Sequence, residues 1–239
     1  MTVNPRDEPS FSTELEHLDA EIRGCVRCAN ILAEHPANPP SRPEIVVPRP
    51  ILSTPFSASI MLIGQAPGLT EYDSGLPFQG PAGSGIRGLF AECGVRLDEF
   101  DRVVYQTSAA KCFPGRKQNG RHWEDRQPDP KMLQMCSGFL RNQIEIVDPR
   151  LVVCLGGVAA KAIDRLRGYP IRVLGDVVGT VEEWGDRYII FLAHTSPGSR
   201  FLNEEKNKRL QARGQRLLEH AVGLLRESGG LIRGQSDRP

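Results

Sequence analysis

Ile60-Met61-Leu62-Ile63-Gly64-Gln65-Ala66-Pro67-Gly68 is the stretch on which the fold turns. Its first four residues are continuously apolar, the pattern of a buried strand. Gly64 closes the run, and a glycine there lets the backbone approach a ligand and offer its N–H groups. Three further apolar runs follow downstream: Val103-Val104-Tyr105, Leu151-Val152-Val153-Cys154-Leu155, and 188–193. Helical patterns separate them. Ile86, Leu89, Phe90 and Cys93 share one face, closed by Gly94. Asp129-Pro130 reads as an N-cap followed by proline at the first helical position. That helix runs to about Val147 and displays Leu133, Cys136, Leu140 and Ile144. Further helices are predicted over 157–167 and 204–227. The last has Leu210, Leu217, Ala221 and Leu224 inward and Lys206, Lys208, Arg209, Arg213 and Arg216 on a solvated face. Strands alternating with helices predict an α/β fold with a four-stranded, mainly parallel sheet covered on both faces.

Upstream, Thr13-x-x-Glu16 is a capping box, and Leu15, Leu18 and Ile22 follow at helical spacing. This helix delivers Cys25-x-x-Cys28. Residues 35–55 hold seven prolines and no periodicity, which predicts an extended loop. No internal repeat is present. With 239 residues, 39% hydrophobic and a net charge of +1, the chain suits one domain with a core over about 11–227 and disordered tails at 1–10 and 228–239. It carries no apolar run of membrane-spanning length and no charged-then-apolar leader, so no membrane partner and a cytoplasmic location are expected.

Six cysteines in such a chain point to metal or redox chemistry more than to disulfides. Cys25, Cys28, Cys112 and Cys136 could hold an iron–sulfur cluster or a zinc ion. Cys93 and Cys154 fall on predicted core faces and read as small buried hydrophobes. In an open parallel sheet, ligands bind beyond the carboxyl ends of the strands. The loops after Gly64, Thr107 and Ala193 are therefore expected to form one site. The first contains Glu71 and, in Gly75-Leu76-Pro77-Phe78, an aromatic placed like a stacking platform. It lacks the ending of a P-loop, and its glycines do not fit the dinucleotide fingerprint.

Taken together, Gly64-Gln65-Ala66-Pro67-Gly68, Gly75-Leu76-Pro77-Phe78, Thr107-Ser108-Ala109-Ala110-Lys111-Cys112 and His194-Thr195-Ser196-Pro197 resemble the iron–sulfur uracil-DNA glycosylases. The resemblance runs from Cys25 to about Arg226, with the motifs in the family's order. It implies a three-layer α/β/α sandwich with a 4Fe–4S cluster on Cys25, Cys28, Cys112 and Cys136, more structural than catalytic. It also implies a monofunctional enzyme that excises uracil from DNA, with a preference for the duplex; a monomer is expected, since one flipped base needs one pocket. The target base would be flipped into the pocket before its glycosidic bond is cut.

The resemblance assigns roles residue by residue. His194 would donate a hydrogen bond to uracil O2 as negative charge develops. Phe78 would stack on the base, and Gly64, Gln65 and Ala66 would surround it and a water. Glu71 lines up with a carboxylate that some relatives use to position water. Ser108 stands where the single-strand-competent branch usually has Asn, and Gln65 where it often has Glu. Other motifs lean toward the broader, duplex-active branch, so the chain resembles an outlying member between the two. Between Cys112 and Cys136 it carries an insertion, Arg116-Lys117-Gln118-Asn119-Gly120-Arg121-His122-Trp123. Lys111, Arg116, Lys117, Arg121 and His122 near the cluster, and Ser196, Pro197 and Arg200 beyond the histidine, are expected to hold DNA. Two alternatives stand beside excision. One relative traps the abasic sugar covalently through a histidine in a comparable insertion, a role His122 could take. The other is a non-catalytic iron–sulfur module for DNA binding or redox sensing.

Overall fold

The computed structural model describes residues 11–54, 56–196 and 199–231. The chain begins with helices α1 (Phe11–Arg23) and α2 (Ala29–Leu32) and a two-stranded ribbon, β1 (Pro36–Asn38) with β2 (Arg42–Ile45). Then come β3 (Ile60–Gly64), α3 (Leu69–Ser74), α4 (Pro81–Glu92), α5 (Phe100–Val103) and β4 (Val104–Ser108). A hairpin, β5 (Arg116–Asn119) with β6 (His122–Asp125), precedes α6 (Pro130–Val147) and β7 (Leu151–Leu155). Last are α7 (Gly157–Leu166), α8 (Leu174–Val177), β8 (Val181–Trp184), β9 (Arg187–Leu192), a 3-10 turn at Arg200–Asn203, and α9 (Glu205–Glu227).

The central sheet runs β4-β3-β7-β9-β8. Its first four strands are parallel, and β8 joins β9 antiparallel at the edge. Successive strand residues face opposite sides, so each buried strand feeds two cores. Met61, Ile63, Tyr105, Val152 and Cys154 pack with α1, α6 and α7. Ile60, Leu62, Val104, Val153 and Leu155 pack with α4, α5 and α9. The result is the expected three layers. Cys93 and Cys154 lie buried in these cores, as anticipated. Among the described residues, no helix is long and apolar enough to cross a membrane.

Several details differ from expectation. The sheet has five strands rather than four. Val181-Glu182-Glu183-Trp184 escaped notice because an edge strand, half in water, carries no continuous apolar run. The second strand starts at Val104, because Val103 closes the short helix α5. The loop after Gly64 contains α3, and α4 begins at Pro81 rather than Ile86. Thr13 lies inside α1 rather than capping it. The proline-rich segment forms the β1–β2 ribbon. In α9 the fully buried residues are Gly214, Leu218, Val222 and Leu225; Leu217 and Ala221 pack half-buried against the same core, as expected, whereas Leu224 is 53% exposed. The packed chain also continues past 227: Leu231 is buried, and Ser59 Oγ donates to the Gly230 carbonyl. The tails predicted at 1–10 and from 232 onward fall outside the described residues, as does Pro197.

The edge strand is tied on by charge. Asp164 of α7 is fully buried and accepts from Arg172 N and Nε, both at 3.2 Å. Arg172 also pairs with Glu182 of β8, as does Arg167.

Candidate active site

A cleft of about 640 Å³ opens at the carboxyl ends of β3, β4 and β9. The topology puts it there: from β3 the chain crosses first to β4 on one side and later to β7 on the other, leaving a crevice where the direction reverses. Gly64 and Ser108 are register partners, and the pairing extends beyond the strands through Ala109 N to Gly64 O (2.9 Å) and Ala110 N to Gln65 O (3.0 Å). Gly64, Gln65, Ala66, Phe78, Ser108 and His194 all line the cleft, so the residues expected to hold a base are brought together.

Phe78 lies against Gly64 so closely that a Cβ there would stand 2.9 Å from its Cζ. The aromatic ring is thus seated by the absence of a side chain. Phe78 itself has φ of 52°, a left-handed conformation uncommon for an aromatic residue and costing about 1–3 kcal/mol. The surrounding chain enforces it: a Cβ on Gly83 would meet the Phe78 carbonyl oxygen at 1.9 Å. Glu71 braces the same loop. Its Oε2 accepts from Gly68 N (2.9 Å) at the start of α3, and its Oε1 accepts from Gly80 N (2.7 Å) at the start of α4. Both oxygens hold backbone, so Glu71 is neither a solvated loop acid nor a carboxylate free for water alone. The Gln65 amide makes no side-chain hydrogen bond among the described residues.

His194 follows β9. The backbone N–H of Ser196 donates to its Nδ1 at 3.3 Å, and the Ser196 hydroxyl lies 2.9 Å from the same nitrogen. With Nδ1 accepting, the ring proton sits on Nε2. Burial lowers the His194 pKa, which keeps the imidazole neutral. Thr195 anchors the loop by donating to the Ala82 carbonyl at 2.7 Å. Ser196, expected as a phosphate clamp, is turned instead onto the histidine.

The basic residues divide. Lys111 was expected to grip DNA, yet it is 1% exposed. Its ammonium donates to Thr107 Oγ1 (2.8 Å) and Ser108 O (2.6 Å), and Thr107 passes the chain on to Gln143 and Tyr105. Burial pulls its pKa down to about 8, against the attraction of Cys136 and Asp19. Arg116 also turns inward, to the Trp123 carbonyl and to Asp125, whose Oδ1 lies 3.3 Å from its Nε. Lys117, Arg121 and His122 are exposed on the hairpin, with Lys117 3.2 Å from Glu124. Arg200 is exposed and lies close enough to Glu124 to help hold that carboxyl below its usual range, after Asn119 and Lys117. Ser108 is buried, and its hydroxyl donates to Ala110 O at 2.7 Å.

The hairpin brings Trp123, Glu124, Asp125 and Arg126 to the cleft wall, which the sequence reading missed. A signal was present: Gly120-Arg121 is a Gly-first two-residue hairpin turn between the paired Asn119 and His122, and Gly120 takes φ of 61°.

Cys25, Cys28, Cys112 and Cys136 meet in one corner, the last three buried. Met132, Phe113, Leu32 and Tyr72 form an apolar shell around Cys28 and Cys112. The Cys28 and Cys136 thiols lie close enough to perturb one another, which raises the Cys28 pKa and lowers that of Cys136, with the Lys111 amide and ammonium adding to the latter. Burial and the neighbouring Cys136 push Cys112 up to about 12. Among the described residues, no three His, Cys, Asp or Glu side chains close around a point as one metal ion requires.

A sequence model of the uracil DNA glycosylase superfamily matches residues 51–217, a span that contains every cleft residue named above. The chain belongs to the uracil DNA glycosylase superfamily. It is 33% identical over 133 residues to the type-4 uracil-DNA glycosylase of Archaeoglobus fulgidus, covering 54% of this chain and 61% of that one. It is 30% identical over 169 residues to the type-4 enzyme of Thermotoga maritima, covering 67% and 76%. A type-5 uracil-DNA glycosylase of Pyrobaculum aerophilum is 37% identical over 67 residues, 28% of this chain and 26% of that one. The chain thus spans about three fifths of the Archaeoglobus protein's length.

Proposed function

We propose that this protein is a monofunctional uracil-DNA glycosylase of base excision repair, acting as a monomer on uracil flipped out of DNA, with a preference for the duplex. One observation carries the reading: a neutral His194 with its proton on Nε2 faces a cleft that also holds a seated aromatic, Phe78. A flipped base needs an aromatic face and polar partners for its edge. Phe78 supplies the face. The Nε2–H of His194 donates to uracil O2 and strengthens that bond as the leaving base becomes an anion. The Ser108 hydroxyl proton is committed to Ala110 O, so toward the base its oxygen acts as an acceptor, matching the uracil N3–H. Gln65 and the backbone of Gly64 and Ala66 complete the pocket. Lys117, Arg121, His122 and Arg200 are the exposed groups at the rim suited to phosphate.

Cys25, Cys28, Cys112 and Cys136 would hold a 4Fe–4S cluster. Four thiols grouped in an apolar corner suit such a cluster, in which each iron takes its own thiolate. When bound, it supplies cross-linking of α6, the segment after α1 and the loop after β4, and no step of the hydrolysis. The buried Lys111 ammonium beside Cys136 offsets part of the thiolate charge. Hydrolysis is favoured over covalent trapping because His122 stands on the exposed hairpin and not among the lining residues.

The test is strand cleavage after alkali, on single- and double-stranded oligonucleotides carrying one uracil, beside a denaturing gel run without alkali. Alkali-dependent cleavage, stronger on the duplex, is expected. A heat-stable shifted band would replace turnover with trapping, and no signal on either substrate would overturn the enzymatic reading.

A further inference from the structure

The β5–β6 hairpin carries a second carboxylate into the cleft. Asp125 ends β6, where its Oδ2 accepts from Leu69 N at 3.2 Å and its Oδ1 lies 3.3 Å from Arg116 Nε. A Cβ on Gly68 would stand 2.6 Å from Asp125 Oδ2 and 2.9 Å from Glu71 Oε2. Two acids from distant parts of the chain therefore converge over one residue, and only glycine leaves them room.

The two acids are not equivalent. Glu71 has one oxygen on each of two backbone amides and braces the loop. Both acids line the cleft with Phe78 and His194, and Asp125 too has contacts at each oxygen, but it is the more exposed of the two, 39% at its side chain and wet enough to meet a water. Excision by hydrolysis needs a group that can orient a water and take its proton. Gln65, where a carboxylate would otherwise be sought, carries an amide with no proton-accepting power at neutral pH. Glu71 links two backbone amides and is less exposed than Asp125, and His194 is oriented as a donor.

We propose that Asp125 is the general base of the excision, orienting the attacking water and receiving its proton. This rests on the uracil-excision reading. In the step, the C1′–N1 bond breaks and its electron pair leaves with uracil, whose O2 is held by His194. The water oxygen bonds to C1′, and its proton passes to Asp125 and then to solvent. Arg116 and the Leu69 amide fix the carboxylate's direction. The charged and titratable groups facing it are Arg116 from β5, Glu71 from α3, the adjacent Glu124 and Arg126, and His194 across the cleft. Desolvation lifts the Asp125 pKa above its ordinary value, opposed by the Leu69 amide and Arg116 and aided by Glu71. That is the direction a base working near neutrality needs.

Single-turnover excision across pH by the cluster-loaded full chain tests this, with affinity for DNA bearing a tetrahydrofuran abasic analogue and thermal melting measured in parallel. Asp125→Asn keeps an acceptor for Leu69. It should slow excision about 10²–10⁴-fold, abolish the acid limb of the rate profile, and leave analogue affinity and melting unchanged. Asp125→Glu should recover part of the rate and the acid limb. A wild-type rate or an intact acid limb in Asp125→Asn overturns the proposal, as does a rate loss matched by lost affinity or folding. A wild-type protein that releases no uracil overturns the excision reading beneath it, a failure distinct from these.

Discussion

Ser196 donates its backbone N–H to His194 Nδ1 at 3.3 Å, two residues along the same loop. The contact dictates the tautomer, and with it which nitrogen faces the base. Replacing His194 by Ala should cut single-turnover excision about 10²–10³-fold with little change in DNA affinity. The pH dependence has a definite sign. Burial lowers the folded-state pKa, so as pH falls through about 6.5 the unfolded chain takes the proton first. Stability is full above that range and declines on the acid side, a trend that should be weaker in the His194→Ala variant in urea titrations at successive pH values, the remainder coming from His35, whose pKa burial also lowers.

Gly64 is expected to be indispensable for a reason unrelated to backbone freedom. A methyl group there would meet Phe78 Cζ at 2.9 Å, and the ring is already held in a constrained backbone conformation. Gly64→Ala should displace the stacking face and lower kcat/KM by about 10²-fold, while far-ultraviolet circular dichroism stays unchanged.

Lys111 and the hairpin cations should separate cleanly. Lys111→Met removes two buried hydrogen bonds and should cost roughly 2–3 kcal/mol of stability, leaving the salt dependence of DNA binding as it was. Lys117→Ala and Arg121→Ala should each lower the slope of log affinity against log salt by about one. Anisotropy titrations at several salt concentrations read both.

Serine at any of Cys25, Cys28, Cys112 or Cys136 should abolish visible absorbance and bound iron and sulfide. Alanine at Cys93 or Cys154 should keep both, since each is buried in an apolar core and neither belongs to the group of four thiols. Iron and sulfide analysis of the purified variants decides it.

Asp164→Ala should destabilise the protein by about 2–4 kcal/mol, because Arg172 loses a buried partner and β8 its tie to α7. Urea unfolding measures it, and excision at low temperature should persist.

The parallel strands were legible because burial on both faces leaves a continuous apolar run, as in Ile60–Ile63. Glu182 and Glu183 hid β8, an edge strand that water reaches. In α9, Leu217-Leu218 and Leu224-Leu225 are doublets, so helical period alone cannot choose the phase; packing on the sheet buries Leu218 and Leu225, keeps Leu217 half-buried beside them and leaves Leu224 outside. Gly64, Phe78, Ser108 and His194 could be grouped in advance because strand ends in a parallel sheet point one way. The fates of Lys111 and Arg116 could not, since a cation's partners are set by tertiary neighbours such as Thr107 and Asp125. Asp125 lay unnoticed just past a polar insertion, on a hairpin whose strands show no apolar alternation.

The most direct test of the central claim is mass-spectrometric measurement of free uracil released from duplex DNA in excess over the protein. The account predicts uracil in molar excess over protein, with abasic DNA as the matching product. No free uracil from folded, cluster-loaded protein, or release that stops at one equivalent with DNA covalently attached, would contradict it.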